Sequence, residues 1–322
     1  MSHFLTIPIN ENGIIVDENI DVEIQIAAVA PFKFTDVFIY SHGWWNTATK
    51  AVSEYNIFSI GFSKTLQTVV SANPAQFPRI TASFSALAMG LHWPSMISED
   101  QDSVSNFLEA TSFFTMEHRA DDVGDNAGYA LLRLLIEARQ GHPPLRFHLI
   151  GHSFGCRVVC SALQSLANDP DTLAEAKNIN AEFNVVLLQS ATDCDSLATG
   201  RLYGDILTSI PNLRLLVTTS QKDTALGTWY REAQRLAHLF SDPIDALGSA
   251  GPTGALATPI SSQISVLDSP VPQPTGSFTV ADITPLHQKR ADAGEAPTGW
   301  GGQHSDINLP EIYELIARFV GN

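Results

Sequence analysis

The stretch RFHLIGHSFGCRVVC, residues 146–160, constrains the fold more than any other part of the sequence. The stretch begins with an apolar run that has the composition of a buried strand, and it ends with an apolar segment at helical spacing. Between them, Ser153 lies two residues from Gly151 and two from Gly155. Glycine tolerates a tight turn in which other side chains would clash. The stretch therefore predicts a strand, a sharp turn and a helix in direct succession.

Apolar runs and amphipathic segments alternate along most of the chain. Strands are predicted over 36–43, 85–95, 145–150, 184–190 and 212–220. Helices are predicted over 47–70, from Asp121 to just before Gly141, after Ser153, and over 309–320. This alternation is typical of an α/β fold in which a mostly parallel sheet carries helices on both faces.

Residues 243–297 interrupt the alternation, because they hold 8 of the 18 prolines together with many small residues. Such a segment cannot be mostly regular helix, although 264–269 has the pattern of an edge strand. We interpret 243–297 as an irregular, proline-rich insertion that acts as a lid. No internal repeat is visible, so a single domain over 1–322 is expected.

Composition restricts the classes of partner. The formal net charge of −16 argues against nucleic acid, because an acidic surface repels phosphate backbones. The N-terminus lacks the pattern of a signal peptide, and no apolar run approaches the ~18 residues of a membrane span. The three cysteines form no disulfide framework. We therefore expect a soluble, cytoplasmic protein without a membrane span.

The motif GHSFG, residues 151–155, matches the G-x-S-x-G nucleophile elbow in its required strand-turn-helix context. On this motif the chain resembles the serine hydrolases of the α/β-hydrolase fold, of the esterase and lipase kind, from about Asp36 to the C-terminus. The resemblance implies that Ser153 is the nucleophile. It also implies a triad in the order nucleophile, acid, histidine, so the base must follow Ser153.

Three histidines follow the serine: His238, His287 and His304. The resemblance favours His304, because it lies in the loop before the closing helix, where these enzymes carry the base. His287 is the alternative, whereas His238 fits the face of a helix as a packed or surface residue.

The acid has two candidate positions. Asp223 follows the strand predicted over 212–220, which is where the family usually carries this residue. Asp193 and Asp195 follow the preceding strand, where some lipases place the acid. Asp223 is the prediction, and the other two remain alternatives.

The resemblance also implies an oxyanion hole built from two backbone N–H groups. Phe154, directly after the serine, supplies one. The other lies in the loop YSHGWWN, where Gly43 allows close approach and Trp44 is the predicted donor, with Trp45 as the alternative.

Tryptophans near these positions predict an apolar pocket for an acyl or aryl group. The predicted pocket residues are Trp45, Trp93 and Trp300. No phosphate-binding glycine loop and no metal-ligand spacing is visible, so neither a cofactor nor a metal is expected.

These residues together predict hydrolysis of a carboxylic ester, either a small molecule or a lipid, through an acyl-enzyme. An acyltransferase or amidase with the same triad is an alternative. A catalytically silent member of the fold that acts as a binding protein is another.

Overall fold

A computed structural model describes residues 4–16, 34–96, 110–237, 243–298 and 301–322. Within these residues, eight parallel strands form a single sheet in the order β1-β3-β2-β4-β5-β6-β8-β7. The strands are β1 (Phe4–Pro8), β2 (Asp36–Ser41), β3 (Ala86–His92), β4 (Arg146–His152), β5 (Glu182–Leu188), β6 (Leu213–Thr219), β7 (Ser262–Ser265) and β8 (Phe278–Asp282). The α/β fold predicted from the alternating pattern is confirmed.

Ten α-helices connect and cover the strands in the described part of the chain. They are α1 (Ala48–Ala72), α2 (Ala110–Val123), α3 (Tyr129–Ala138), α4 (Gly155–Asn168), α5 (Pro170–Asn178), α6 (Ile206–Ser209), α7 (Arg231–Ala237), α8 (Leu247–Ala250), α9 (Thr284–Asp292) and α10 (Pro310–Gly321). Two π-helical segments, Gly124–Gly128 and Ala225–Tyr230, directly precede α3 and α7. Short 3₁₀ turns lie at Pro74–Gln76 and Gln303–Ser305.

Helices cover both faces of the sheet, so each face has its own apolar core. On one face, α1 and α10 bury side chains such as Phe58 and Leu315 against Ile150 of β4. On the other, α3 and α4 bury side chains such as Leu135 against Leu149, the residue beside Ile150. Neighbouring residues of a strand point to opposite faces, which explains why every residue of β4 after Arg146 is buried.

The helix predicted to begin at Asp121 is already present at Ala110, the first described residue of this part of the chain. Asp121 lies near the end of α2, where its carboxylate accepts hydrogen bonds from Arg157, Ser161 and Tyr203. Asp121 therefore serves contacts with α4 and with the loop that carries Tyr203. A single-sequence pattern does not distinguish these two uses of an aspartate.

The interpretation of 243–297 as an irregular insertion outside the core requires correction, whereas its role as a lid stays a prediction. Two strands of the sheet lie in this range, and β8 pairs with both β6 and β7. Phe278 and Ala281 of β8 are fully buried. An edge strand does lie here, but β7 spans Ser262–Ser265 and overlaps the predicted range of 264–269 at two residues only. The prolines fall in the loops around these short strands and in the first turn of α9, which explains the irregular composition.

Within the described residues, no helix combines the length and apolarity that crossing a membrane requires.

Candidate active site

The predicted site residues meet at the carboxyl ends of the parallel strands. Ser153 follows β4, and Asp223 follows β6. The loop that carries Gly43 and Trp44 follows β2. Open parallel sheets bind ligands at this edge because their loops converge there.

Ser153 occupies the sharp turn between β4 and α4. Its φ angle is 56°, in the left-handed region that non-glycine residues rarely adopt. Gly155 makes the turn possible, because a Cβ there would lie 2.6 Å from the carbonyl oxygen of His42. The backbone N–H of Ser153 donates to the carbonyl of Leu188, at the end of β5, at 3.1 Å. The serine is thus held at the start of α4, where the helix dipole favours negative charge.

His304 and Asp223 form a direct pair. The histidine lies in the 3₁₀ turn before α10, and its Nδ1 donates to Oδ2 of Asp223 at 2.7 Å. Asp223 is 1% exposed, and its other oxygen accepts the backbone N–H of Leu226 at 3.0 Å. With Nδ1 used in this bond, Nε2 is the ring nitrogen left to exchange a proton with a substrate or nucleophile.

The backbone holds the acid and histidine loops together. The N–H groups of Thr224 and Ala225 both donate to the carbonyl of Gly301 at 3.2 Å. An isolated β-bridge also joins Asp223 to Gly302. The distance between the two side chains is therefore fixed by main-chain contacts as well as by their own hydrogen bond.

Gln189 is a site residue that sequence reasoning missed. Its Nε2 donates to Oδ2 of Asp223 at 2.9 Å and to the carbonyl of Gln303 at 3.0 Å. Like Ser153, it has a positive φ angle, at 43°. Its position directly after β5, at the carboxyl edge of a parallel sheet, is the signal that could have identified it.

The alternative acids and the alternative base have other partners. Oδ1 of Asp193 accepts from the hydroxyl of Tyr230 at 2.7 Å, and Asp195 pairs with Arg201 at 2.9 Å. His287 is buried, with Nδ1 at 2.8 Å from Oγ of Ser220. His238 lies outside the described residues.

The loop after β2 lies directly against the serine. A Cβ on Gly43 would be 2.7 Å from Cβ of Ser153, so a larger residue would separate the loop from the elbow. The N–H of Trp45, the alternative oxyanion donor, donates to the carbonyl of Ser95 at 3.2 Å. At the elbow, no described residue accepts a hydrogen bond from the N–H of Phe154.

Ser153 and His304 open into one cavity of about 460 Å³. Its aromatic wall consists of Trp44, Trp45, Phe113, Phe154 and Tyr230. Polar residues, among them Lys50, Glu54 and Asn308, lie along the remaining sides. The cavity therefore combines an apolar, aromatic side with a lining that is otherwise largely polar.

The structure describes two of the three predicted pocket tryptophans and places them differently. Trp45 lines the cavity, whereas Trp93 is fully buried and does not. Trp93 stacks on His42 with ring centroids 5.3 Å apart, and its Nε1 donates to Oγ of Ser41. It follows the end of β3 and turns into the core, so it is not a pocket residue. Trp300 lies outside the described residues.

Two buried histidines, His42 and His152, lie beside the turn that carries Ser153. His152 precedes Ser153, and its Nε2 donates to the carbonyl of His304 at 3.0 Å. Nδ1 of His42 donates to the carbonyl of Gly43 at 2.8 Å. Burial lowers the pKa of each ring to about 3. Neither ring is therefore expected to carry a charge beside the serine near neutral pH.

These shifts predict a loss of stability in acid. An unfolded histidine has a pKa near 6.5, so below that pH the unfolded chain binds protons that the folded chain does not. The contribution of each neutral ring to the free energy of unfolding is therefore fully present above pH 6.5 and decreases as the pH falls towards 3. Each ring is expected to contribute a loss of about 2–3 kcal/mol in the free energy of unfolding between pH 6.5 and 4.5.

Urea unfolding of the wild type and of His42→Gln at pH 7 and pH 4.5 measures this loss. The variant should lose about 2–3 kcal/mol less than the wild type, because it lacks one of the two rings. An equal loss in both proteins would contradict a neutral buried His42.

The family to which the sequence is similar agrees with this architecture. The family described as "Alpha/beta hydrolase of unknown function (DUF900)" matches residues 33–244, a range that contains Ser153 and Asp223 and ends before His304. No curated protein matches the sequence. A crystal structure of an uncharacterized protein from Pseudomonas aeruginosa is similar, with a TM-score of 0.37 and 11% identity. That similarity covers 98% of this chain and 52% of the other, so this chain spans about half the length of that protein. Because the family match extends over more than half of the sequence, the chain belongs to this family of α/β hydrolases.

Proposed function

We propose that this protein is a serine hydrolase that cleaves carboxylic esters through an acyl-enzyme. The observation that carries the proposal is the 2.7 Å pair of His304 and Asp223, whose histidine opens into the same cavity as Ser153. A buried carboxylate that holds Nδ1 of an imidazole leaves Nε2 to act as general base for a serine hydroxyl.

In the proposed reaction, Nε2 of His304 takes the proton of Ser153 while Oγ attacks the ester carbonyl. The carbonyl becomes a tetrahedral oxyanion, for which the N–H groups of Trp44 and Phe154 are the proposed donors. His304 then gives its proton to the departing alcohol, and an acyl-Ser153 ester remains. A water molecule attacks that ester with the same base, releasing the carboxylic acid and restoring the serine.

Asp223 has an electrostatic role in this scheme. It keeps the proton of the neutral imidazole on Nδ1 and stabilises the imidazolium that forms when Nε2 gains a proton. Its burial makes the interaction stronger than it would be in water, because little solvent screens the two charges. The hydrogen bonds from Gln189 and Leu226 hold the carboxylate in position.

Labelling with a fluorophosphonate tests the proposal directly, because the reagent forms a stable adduct with an activated serine. Peptide mapping by mass spectrometry should place the adduct on Ser153, and a panel of aryl and alkyl esters should be hydrolysed. Adding alcohols and amines to the assay separates hydrolysis from acyl transfer, since an acyltransferase would form an ester or amide of the added compound. No adduct on the folded protein, together with no ester hydrolysis, would overturn the proposal.

Gln189→Met provides a further test, because methionine keeps the length of the side chain and removes both N–H donors. Hydrogen bonds to charged groups contribute about 1.5–3 kcal/mol, so kcat should fall by about 10- to 100-fold. Because Gln189 acts through Asp223 and not on the substrate, KM should change little, whereas the urea midpoint should fall because two buried acceptors lose their donor.

Gln234→Met is the matched control, since the Gln234 amide donates to Asp193 instead of Asp223. This variant should keep kcat within about tenfold of the wild type. Equal losses in the two variants would remove the positioning role assigned to Gln189.

A further inference from the structure

Helix α1 carries three exposed large apolar side chains. Val52, Ile57 and Ile60 are 37%, 50% and 69% exposed, and all three lie on this helix. They account for three of the seven large apolar side chains that are exposed in the described part of the chain. Single exposed apolar residues are common, whereas a cluster of them indicates a contact surface.

These side chains border a shallow groove of about 640 Å³. Its lining consists of Thr49, Val52, Ser53, Asn56, Ile57, Ile60, Gly61, Asn308 and Tyr313. No acidic or basic side chain is among these residues. The hydroxyl of Tyr313, on α10, donates to Oδ1 of Asn308 at 2.8 Å, so packing and a hydrogen bond fix one side of the groove. The groove is therefore a preformed, uncharged surface.

The groove continues the cavity that contains Ser153. Ser53, Ile57 and Asn308 line both spaces. Ile57 lies between the aromatic cavity and the exposed Ile60, which is one helical turn further along α1. From Val52 to Ile60 the helix rises roughly 12 Å. A molecule that reacts at Ser153 and is too long for the cavity can therefore extend over Ile57 into the groove.

We propose that this groove binds a long apolar chain of the ester substrate while the ester group reacts at Ser153. The inference rests on the proposed function and specifies its substrate class as long-chain esters. An uncharged groove that is continuous with a reactive serine fits a flexible hydrocarbon chain. A charged or strongly polar extension would find no ionic partner there.

The length dependence of the reaction follows from the geometry. Full burial of a methylene contributes ~0.8 kcal/mol, and an open groove covers about half of the chain's surface. Each methylene placed in the groove should then raise kcat/KM by about twofold. The rise should begin at the chain length that fills the cavity and end where the chain passes Ile60.

The experiment compares two ester series, one lengthened in the acyl group and one in the alcohol, in three proteins. These are the wild type, Val52→Ser/Ile60→Ser, and Leu202→Ser as a matched control. Leu202 is 54% exposed and is not among the residues that line the cavity or the groove. In at least one series, the ratio of kcat/KM for long and short esters should fall by five- to tenfold in the groove variant. The control should keep the ratio of the wild type.

Three results would overturn the inference while leaving the ester hydrolase intact. The first is a wild type that cleaves short esters with no gain from longer chains. The second is a groove variant and a Leu202→Ser variant that lower the ratio equally. The third is a groove variant that changes sedimentation or binding to phosphatidylcholine vesicles and leaves the chain-length profile unaltered. The groove would then be a contact for a second copy or a lipid surface.

A binding measurement separates failure of this inference from failure of the proposed function. If neither ester series is cleaved and Ser153 is not labelled, a long-chain alkyl ester can still be titrated against tryptophan fluorescence, since Trp44 and Trp45 line the cavity. Binding that weakens five- to tenfold in Val52→Ser/Ile60→Ser would retain the groove as a chain-binding site. Absence of binding, or equal binding by the groove variant, would remove both proposals together.

Discussion

Ser153→Ala is expected to lower kcat by about 10⁶, the scale measured when the nucleophile of a serine protease is removed. The substitution should not disturb the fold. Alanine keeps the Cβ of serine, so the strain at φ 56° is unchanged, and only a hydroxyl at the cavity wall is lost. Ester hydrolysis at saturating substrate measures the loss, and circular dichroism with urea unfolding checks the fold.

Ser53 and Ser305 supply the matched controls, because both line the same cavity. Ser53→Ala and Ser305→Ala should remain within about tenfold of the wild-type kcat, a change of ~1.4 kcal/mol. His304→Ala should fall as far as Ser153→Ala, and the double variant should fall no further, since residues that act as a unit are not additive. A fluorophosphonate adduct on Ser53 or Ser305 would overturn the assignment of the nucleophile.

The fold was predictable where a segment contains its own signal. Strands β2 to β6 are largely buried on both faces and contain apolar runs, and β4 leads into a motif with a required context. Strand β8 lacked such a signal, because it is five residues long and lies among prolines and small residues. It becomes a strand through pairing with β6, about sixty residues earlier in the chain. Pairing over such a distance is a tertiary event that a local pattern does not contain.

The candidate site was predictable in its chain order and less so in its supporting contacts. The order of Ser153, Asp223 and His304 came from the resemblance, and the structure brings the last two within hydrogen-bonding distance. The contact of Gln189 with Asp223 depends on a side chain at the end of one strand reaching the next loop. Trp93 was predicted to line the pocket and does not, since a residue near the correct edge of the sheet can still turn into the core.

Asp223→Asn is expected to lower kcat by about 10⁴, following the serine-protease precedent for the same change. Asparagine has the size of aspartate, yet its amide can present an N–H to Nδ1 of His304 and so place the imidazole proton on Nε2. The ring could then no longer accept the proton of Ser153, and no negative charge would stabilise its protonated form. The buried environment increases this effect, because solvent cannot replace the missing charge.

Asp193→Asn and Asp195→Asn test the same prediction by changing the two alternative acids. Asp193 accepts hydrogen bonds from Tyr230 and Gln234, and Asp195 pairs with Arg201, so neither change removes a partner of His304. Both variants should stay within about tenfold of the wild-type kcat, even if Asp193→Asn lowers the urea midpoint through its contact with Tyr230. A collapse of activity in either variant, with Asp223→Asn still active, would move the acid to the loop after β5. Ser153 and His304 would keep their roles, and the buried pair at Asp223 would then be a structural contact between two loops.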